Sequence, residues 1–169
     1  MLFNSLQYLV FFWLVVGAYW SIPHRYRWPL VVVASCYFYM ALVPAYILIL
    51  FVVIIVDWGA GLWIAASAGR TRKVALWTSL AANIAILAVF KYWGFFHEVS
   101  LDFAKLLGFN QSPLPYLSLI LPIGLSFHTF QSMSYTIEVY WGRQPPERHF
   151  GIYSLYVLFF PQMVAGPIE

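Results

Sequence analysis

The sequence is short of charge. Lys, Arg, Asp and Glu together make up 9% of its 169 residues, against roughly a quarter in an ordinary globular domain. A soluble domain of this length needs a charged exterior, so the shortage excludes a water-solvated surface and leaves lipid as the medium. Not one of these four residue types occurs from Met1 to Pro23, and the next such gap runs from Trp28 to Val56. Cysteine is nearly absent as well. The single Cys36 excludes an intrachain disulfide and any metal site of the paired-Cys kind. The N-terminus lacks the basic n-region and small-residue cleavage site of a secretory signal, so its first apolar run is read as a retained span. Also missing are a Ser, His and Asp arrangement, HExxH and a phosphate-cradling Gly loop, which removes the commonest motif-based enzyme readings.

What the chain has in quantity is apolar surface. Hydrophobic residues supply 63% of it and aromatics 21%. A helix needs roughly 20 apolar residues to cross a bilayer. Candidate spans fall at about 6–22, 28–42, 45–68, 74–96, 114–141 and 150–168, the second being short and ending near Pro44. After Phe96 the character changes, because His97, Glu98, Asp102 and Lys105 punctuate apolar positions up to Gly108. That stretch reads as a separate interfacial amphipathic helix followed by a loop from Gly108 to Pro115. The fifth region carries Pro115 and Pro122 near its start, so it is expected to break there and run as a helix from about Ile123. The fold class is all-α, a polytopic transmembrane bundle of five or six hydrophobic segments plus one interfacial helix, in a single membrane domain.

The basic residues orient the bundle. Arg25 and Arg27, then Arg70, Arg72 and Lys73, then Arg143 and Arg148 lie between successive apolar runs, in loops one, three and five. Loop two has no basic residue, and loop four offsets Lys105 with Glu98 and Asp102. The positive-inside rule then places loops 23–28, 69–73 and 142–149 in the cytoplasm and the N-terminus outside. Although the net charge is +3, such separate clusters are not the continuous basic stripe of a nucleic-acid binder, so no nucleic-acid partner is expected.

Polar residues within the spans are functional candidates by default, each with a plain packing alternative. Asp57 and Asn83 are read as bonding to each other or to nearby hydroxyls and so fixing helix packing. Lys91 is read as snorkelling to the interface. In the fifth region His128, Gln131, Tyr135 and Glu138 recur at steps of three and four, an arc of about 80° at roughly 100° per residue. The stripe is either a hydrogen-bonded seam, a proton path or the lining of a substrate funnel. Glu138 is read as an interfacial ion pair with Arg143. His128 invites a general-base role, yet no partner at a fixed short spacing orients it, and a solitary His is more often structural. No catalytic residue and no metal ligand are assigned.

Two long motifs then carry a resemblance. Leu121 to Trp141, LPIGLSFHTFQSMSYTIEVYW, and Phe159 to Ile168, FFPQMVAGPI, resemble the membrane-bound O-acyltransferase family in its bacterial alginate and polysaccharide O-acetyltransferase branch. MLFNS, IPHRYRWPLVVVASCYFYM, FKYWGFF and the PERHF loop follow the same family in the same order. The FFPQ and AGP wording is nearer the alginate type than the branch exporting D-alanyl groups. The resemblance implies an N-terminal portion of an inner-membrane enzyme about three times longer, whose catalytic histidine lies beyond Glu169. The chain alone is accordingly expected to be inactive. It also implies an acetyl donor as substrate, acetyl-CoA or another acetyl carrier, with no bound cofactor. The implied partners are membrane lipid, a polysaccharide acceptor or acyl-carrier protein, and the remainder of the acyltransferase. His128 stands where the family usually has an aromatic, and Glu169 where a basic residue often follows. The wall of the acyl-transfer cavity would draw on His128, Gln131, Tyr135 and Glu138, and on Pro161, Gln162, Gly166 and Pro167 at a helix break. A small transporter or channel subunit using the His128 to Glu138 stripe, or a purely structural membrane subunit, is the alternative.

Overall fold

The computed structural model describes residues 5–41, 44, 46–106 and 124–162. Among them six α-helices follow one another: α1 Leu6–Ser21, α2 Arg27–Met40, α3 Tyr46–Ala66, α4 Gly69–Leu106, α5 Leu125–Trp141 and α6 Phe150–Leu158. No strand occurs among the described residues. The fold is an all-α membrane-type bundle. By length and composition Ile47–Ala66 and Gly69–Leu106 can cross a membrane. At about 1.5 Å per residue α3 is roughly 32 Å long, close to the hydrocarbon thickness.

The core follows from helical periodicity. Along α3 the buried positions Leu50, Val53, Ile54, Asp57, Ala60 and Ile64 repeat at three and four residues, giving one inward stripe. Along α4 the buried Ala75, Ser79 and Asn83 repeat at four. The α4 stripe is made of small residues, which let backbones approach where lipid gives no hydrophobic drive for helix association. Helix α3 accordingly packs on both α4 and α5, while α2 packs along α6. Outward, the surface is oily: Trp13, Trp20, Val33, Leu48, Trp77 and Phe130 are all exposed. A water-soluble molecule of this size rarely exposes so much apolar area.

Three segment boundaries differ from the sequence expectation. The fourth run does not end at Phe96. Helix α4 continues without interruption through His97, Glu98 and Asp102 to Leu106, so His97 to Leu106 belong to it and not to a separate interfacial helix. Polarity changes at His97, but no proline lies between Gly94 and Leu106, so nothing in the backbone stops the helix. The same helix starts at Gly69, which takes φ +59°, so Arg70, Arg72 and Lys73 form its first turns instead of a loop. Finally, the sixth run is not one helix. It ends at Leu158, and Phe160–Gln162 form a 3-10 turn, because Pro161 has no N–H to donate and disfavours helix in the residue before it. The expected break at Pro115 and Pro122, and Gly166 with Pro167, lie outside the described residues.

Basic residues at a helix N-terminus oppose the macrodipole, and Arg72 shows how this is offset. Its Nη2 donates to the carbonyls of Val139 at 3.2 Å and Tyr140 at 2.6 Å, in the last turn of α5. The start of α4 and the end of α5 are thereby fixed at one end of the bundle. At that end α5 closes on Gly142, φ +74°, with Gly142 N–H donating to the Val139 carbonyl and Arg143 N–H to the Glu138 carbonyl, both at 3.1 Å. This is a Schellman closure, which requires the left-handed residue that glycine supplies. Replacing Arg72 by Met is expected to lower stability by about 1–2 kcal/mol, read as a reduced midpoint of unfolding in detergent micelles; an unchanged midpoint would show the bond to be incidental.

Candidate functional site

The polar residues converge on the middle of the bundle. Asp57 sits at the twelfth of the 21 positions of α3 and is fully buried. From α4 the Ser79 hydroxyl donates to Asp57 Oδ1 at 2.5 Å, and Asn83 Nδ2 donates to Oδ1 at 2.7 Å and Oδ2 at 2.9 Å. Ser79 and Asn83 are four residues apart, so one helical turn presents both to a single carboxylate. From α5 the Ser132 hydroxyl also reaches Asp57, and Ser132 is in turn 2.7 Å from the Tyr153 hydroxyl of α6. Tyr153 donating to Ser132, and Ser132 to Asp57, satisfies each group. Four helices thus meet on one carboxylate. Among the described residues the ion pairs are Lys105 with Asp102 and Arg143 with Glu138, so Asp57 is held by neutral donors and not by a cation.

The structure joins Asp57 to Asn83, as their reading as packing partners required. Ser79, Ser132, Thr136 and Tyr153 escaped sequence reasoning. Their signal was present, in Ser79 with Asn83 and Ser132 with Thr136 at intervals of four within apolar helices. Ser and Thr are too common in membrane helices to single out without knowing which faces meet.

The His128 to Glu138 stripe marks the edge of the buried face and not its centre. Buried positions on α5 are Leu125, His128, Thr129, Ser132, Tyr135, Thr136 and Val139, an arc of about 120° centred further round the helix. His128 and Tyr135 fall inside it. Gln131 and Glu138 lie on the rim, each bonded locally. Gln131 Nε2 donates to the Tyr156 carbonyl at 2.9 Å and lies 3.5 Å from Gln162 Oε1, stitching α5 to α6 and the turn that holds Pro161. Glu138 pairs with Arg143 at 3.4 Å. Tyr135 accepts at its hydroxyl from the Glu147 backbone N–H at 2.9 Å, and its ring lies against Gly61, where an added Cβ would come within 2.8 Å of the hydroxyl.

His128 is fully buried among aromatics, with Tyr39 at 6.3 Å and Phe127 at 5.7 Å between ring centroids. Both its ring nitrogens are enclosed without a well-aligned hydrogen bond; the Val157 backbone and Gln131 are the polar groups beside it. A ring so placed fills space as a Phe or Tyr would. Among the described residues no carboxylate orients it, so this geometry offers no acid–base pair. Among the described residues no three His, Cys, Asp or Glu come together as metal ligands.

The three basic segments lie together. Arg72 ties the start of α4 to the end of α5, and Trp28 at the start of α2 packs edge-on to His149, just before α6, with centroids 4.8 Å apart. Arg25, Arg27, Arg70, Arg72, Lys73, Arg143 and Arg148 therefore mark one end of the bundle, and Glu98, Asp102 and Lys105 belong to the far end of α4.

The chain is 34% identical over 171 residues to a probable alginate O-acetylase of Azotobacter vinelandii, covering 99% of this chain and 34% of that protein. A probable alginate O-acetylase of Pseudomonas aeruginosa gives the same identity over the same share of this chain and 32% of its own length. A peptidoglycan O-acetyltransferase of Helicobacter pylori is 32% identical over 124 residues, covering 57% of this chain and 22% of that protein. No family model matches, and no solved structure matches. The chain spans about a third of the length of the curated relatives it matches. Over that third the similarity agrees with the resemblance that its motifs carry to the membrane-bound O-acyltransferases in their alginate O-acetylase branch.

Proposed function

We propose that this chain is the helical scaffold portion of a membrane O-acetyltransferase that transfers acetyl groups to an extracytoplasmic polysaccharide, and that it does not catalyse transfer by itself. The observation carrying this reading is the similarity along 99% of the chain to alginate O-acetylases. It is supported by the geometry: Asp57, Ser79, Asn83 and Ser132 are consumed in tying helices together, and among the described residues no carboxylate orients His128. In this reading the general base that activates the acceptor comes from elsewhere in the acyltransferase. The segment supplies wall and rigidity, with α5, Gln131 and the turn at Pro161 and Gln162 facing the remainder. The donor is acetyl-CoA or another acetyl carrier, and the acceptor is alginate or a related polysaccharide, free or presented by a partner protein. The chain lies in the bacterial inner membrane with its basic end in the cytoplasm and the N-terminus outside, an orientation supported by the clustering of the basic segments at one end.

The test is a chimera in which this chain replaces the matching third of the Azotobacter vinelandii relative, assayed for alginate acetylation in membranes. Acetylation by the chimera, with none from the 169-residue chain alone given labelled acetyl donor and alginate, is the expected result. A chimera that inserts at normal abundance yet transfers nothing would overturn the scaffold assignment, and transfer by the chain alone would overturn its inactivity.

A further inference from the structure

We infer that the groove between α1 and the turn after α6 is a binding site for one anionic glycerophospholipid, its acyl chain in the groove and its phosphate on Arg27. The groove has a volume of about 260 Å³ and is lined by Phe12, Val16, Tyr19, Trp20, Val31 and Phe160 among others. Its walls are almost wholly apolar side chains, suited to a hydrocarbon chain and not to a polar metabolite. What distinguishes it from ordinary lipid-facing surface is its mouth. The Arg27 guanidinium lies 4.9 Å from the Tyr19 ring centroid and 5.6 Å from that of Trp20, and both rings line the groove. Two aromatic faces and a bond from Arg27 Nε to the Ile22 carbonyl at 3.4 Å hold the half-buried guanidinium in place. That bond uses Nε. The two terminal amino groups, the pair that grips a phosphate bidentately, take no protein acceptor among the described residues.

Charge selects the occupant. Arg25 adds a second cation in the short turn His24–Tyr26, and the carboxylates at the same end of the bundle among the described residues, Glu138 and Glu147, are engaged by Arg143 and by the His149 backbone N–H. A phosphodiester carrying net negative charge complements this mouth, whereas a zwitterionic headgroup brings a repelled ammonium. One wall of the groove is Phe159, Phe160 and Pro161. A lipid seated there buttresses the turn in which α6 breaks.

Native mass spectrometry of the full chain, released from micelles holding equal amounts of phosphatidylglycerol and phosphatidylcholine, tests this. One retained phosphatidylglycerol is expected, favoured roughly fivefold over phosphatidylcholine. In Arg27→Gln the preference falls to parity, and in Val16→Trp, which fills the groove, retention of both lipids is lost. Arg70→Gln, which removes a cation from the start of α4, a helix that touches neither α1 nor α6, keeps the fivefold preference. Equal retention of the two lipids by the unaltered chain, an unchanged preference in Arg27→Gln, or an equal drop in Arg70→Gln would each overturn the site. Should Arg27→Gln fail to fold, retention of lipid by Val16→Trp at the unaltered level does the same.

Discussion

Asn83→Leu is expected to destabilise the bundle by about 2 kcal/mol, more than any other single polar-to-apolar change of similar volume. The estimate lies between the roughly 0.6 kcal/mol averaged by interhelical hydrogen bonds in a membrane protein and the roughly 3–5 kcal/mol lost when one partner of a buried ion pair is removed. It sits above the first because Asn83 supplies contacts to both carboxylate oxygens, at 2.7 and 2.9 Å, and its loss leaves a buried Asp57 with two of its three donors. It sits below the second because Ser79 and Ser132 remain. Asp57→Leu removes the acceptor itself and leaves only neutral donors, so it is expected to cost about half as much. The double variant should then be less damaged than the sum of the two singles, a coupling that only a shared network produces. Unfolding in mixed micelles, followed by helical circular dichroism, measures all three. Strict additivity would mean that the four-helix junction contributes nothing beyond its parts.

Gly151→Val is expected to have the other large effect, at about 3 kcal/mol, and Trp28→Leu in the same chain is expected to recover most of it. A Cβ placed on Gly151 runs into Cζ3 of the Trp28 ring and comes within 2.7 and 2.9 Å of its Cη2 and Cε3, too close for any real contact. The indole has little room to yield, since His149 packs edge-on against it. Overpacking of this kind costs about 1–3 kcal/mol, and a β-branched residue falls at the top of that range. Ala in place of Gly gains up to about 1 kcal/mol of helix propensity, so Gly151→Ala should show a smaller loss than Gly151→Val. Recovery by Trp28→Leu identifies the clash as the cause. No recovery would place the effect in the α6 backbone instead.

Much of the bundle was legible because its signals are periodic. Each apolar run produced a helix, and Asp57 and Asn83 stood out because a lone polar group in an oily run needs a partner. Where periodicity stops, so did the reading. Four polar residues at helical spacing on α5 read as one stripe, yet Gln131 and Glu138 are rim contacts and the buried centre belongs to Ser132 and Thr136, side chains too ordinary to attract notice. The continuation of α4 past His97 was missed because a change in polarity reports what surrounds a helix and not whether its backbone goes on. The early end of α6 was available in principle, since Pro161 stands within the run. The fit of Gly151 to Trp28 joins residues 123 positions apart, and no local pattern announces it.

The claim on which the rest stands is that α4 crosses the membrane once, with the basic end of the bundle in the cytoplasm. Cysteines placed one at a time by Thr71→Cys, Gln144→Cys and Asp102→Cys in a Cys36→Ser background, treated with a membrane-impermeant maleimide on intact and on inverted vesicles, address it directly. The account predicts that positions 71 and 144 react only when the cytoplasmic face is exposed and that position 102 reacts only from the opposite face. Labelling of positions 71 and 102 from the same side would contradict it.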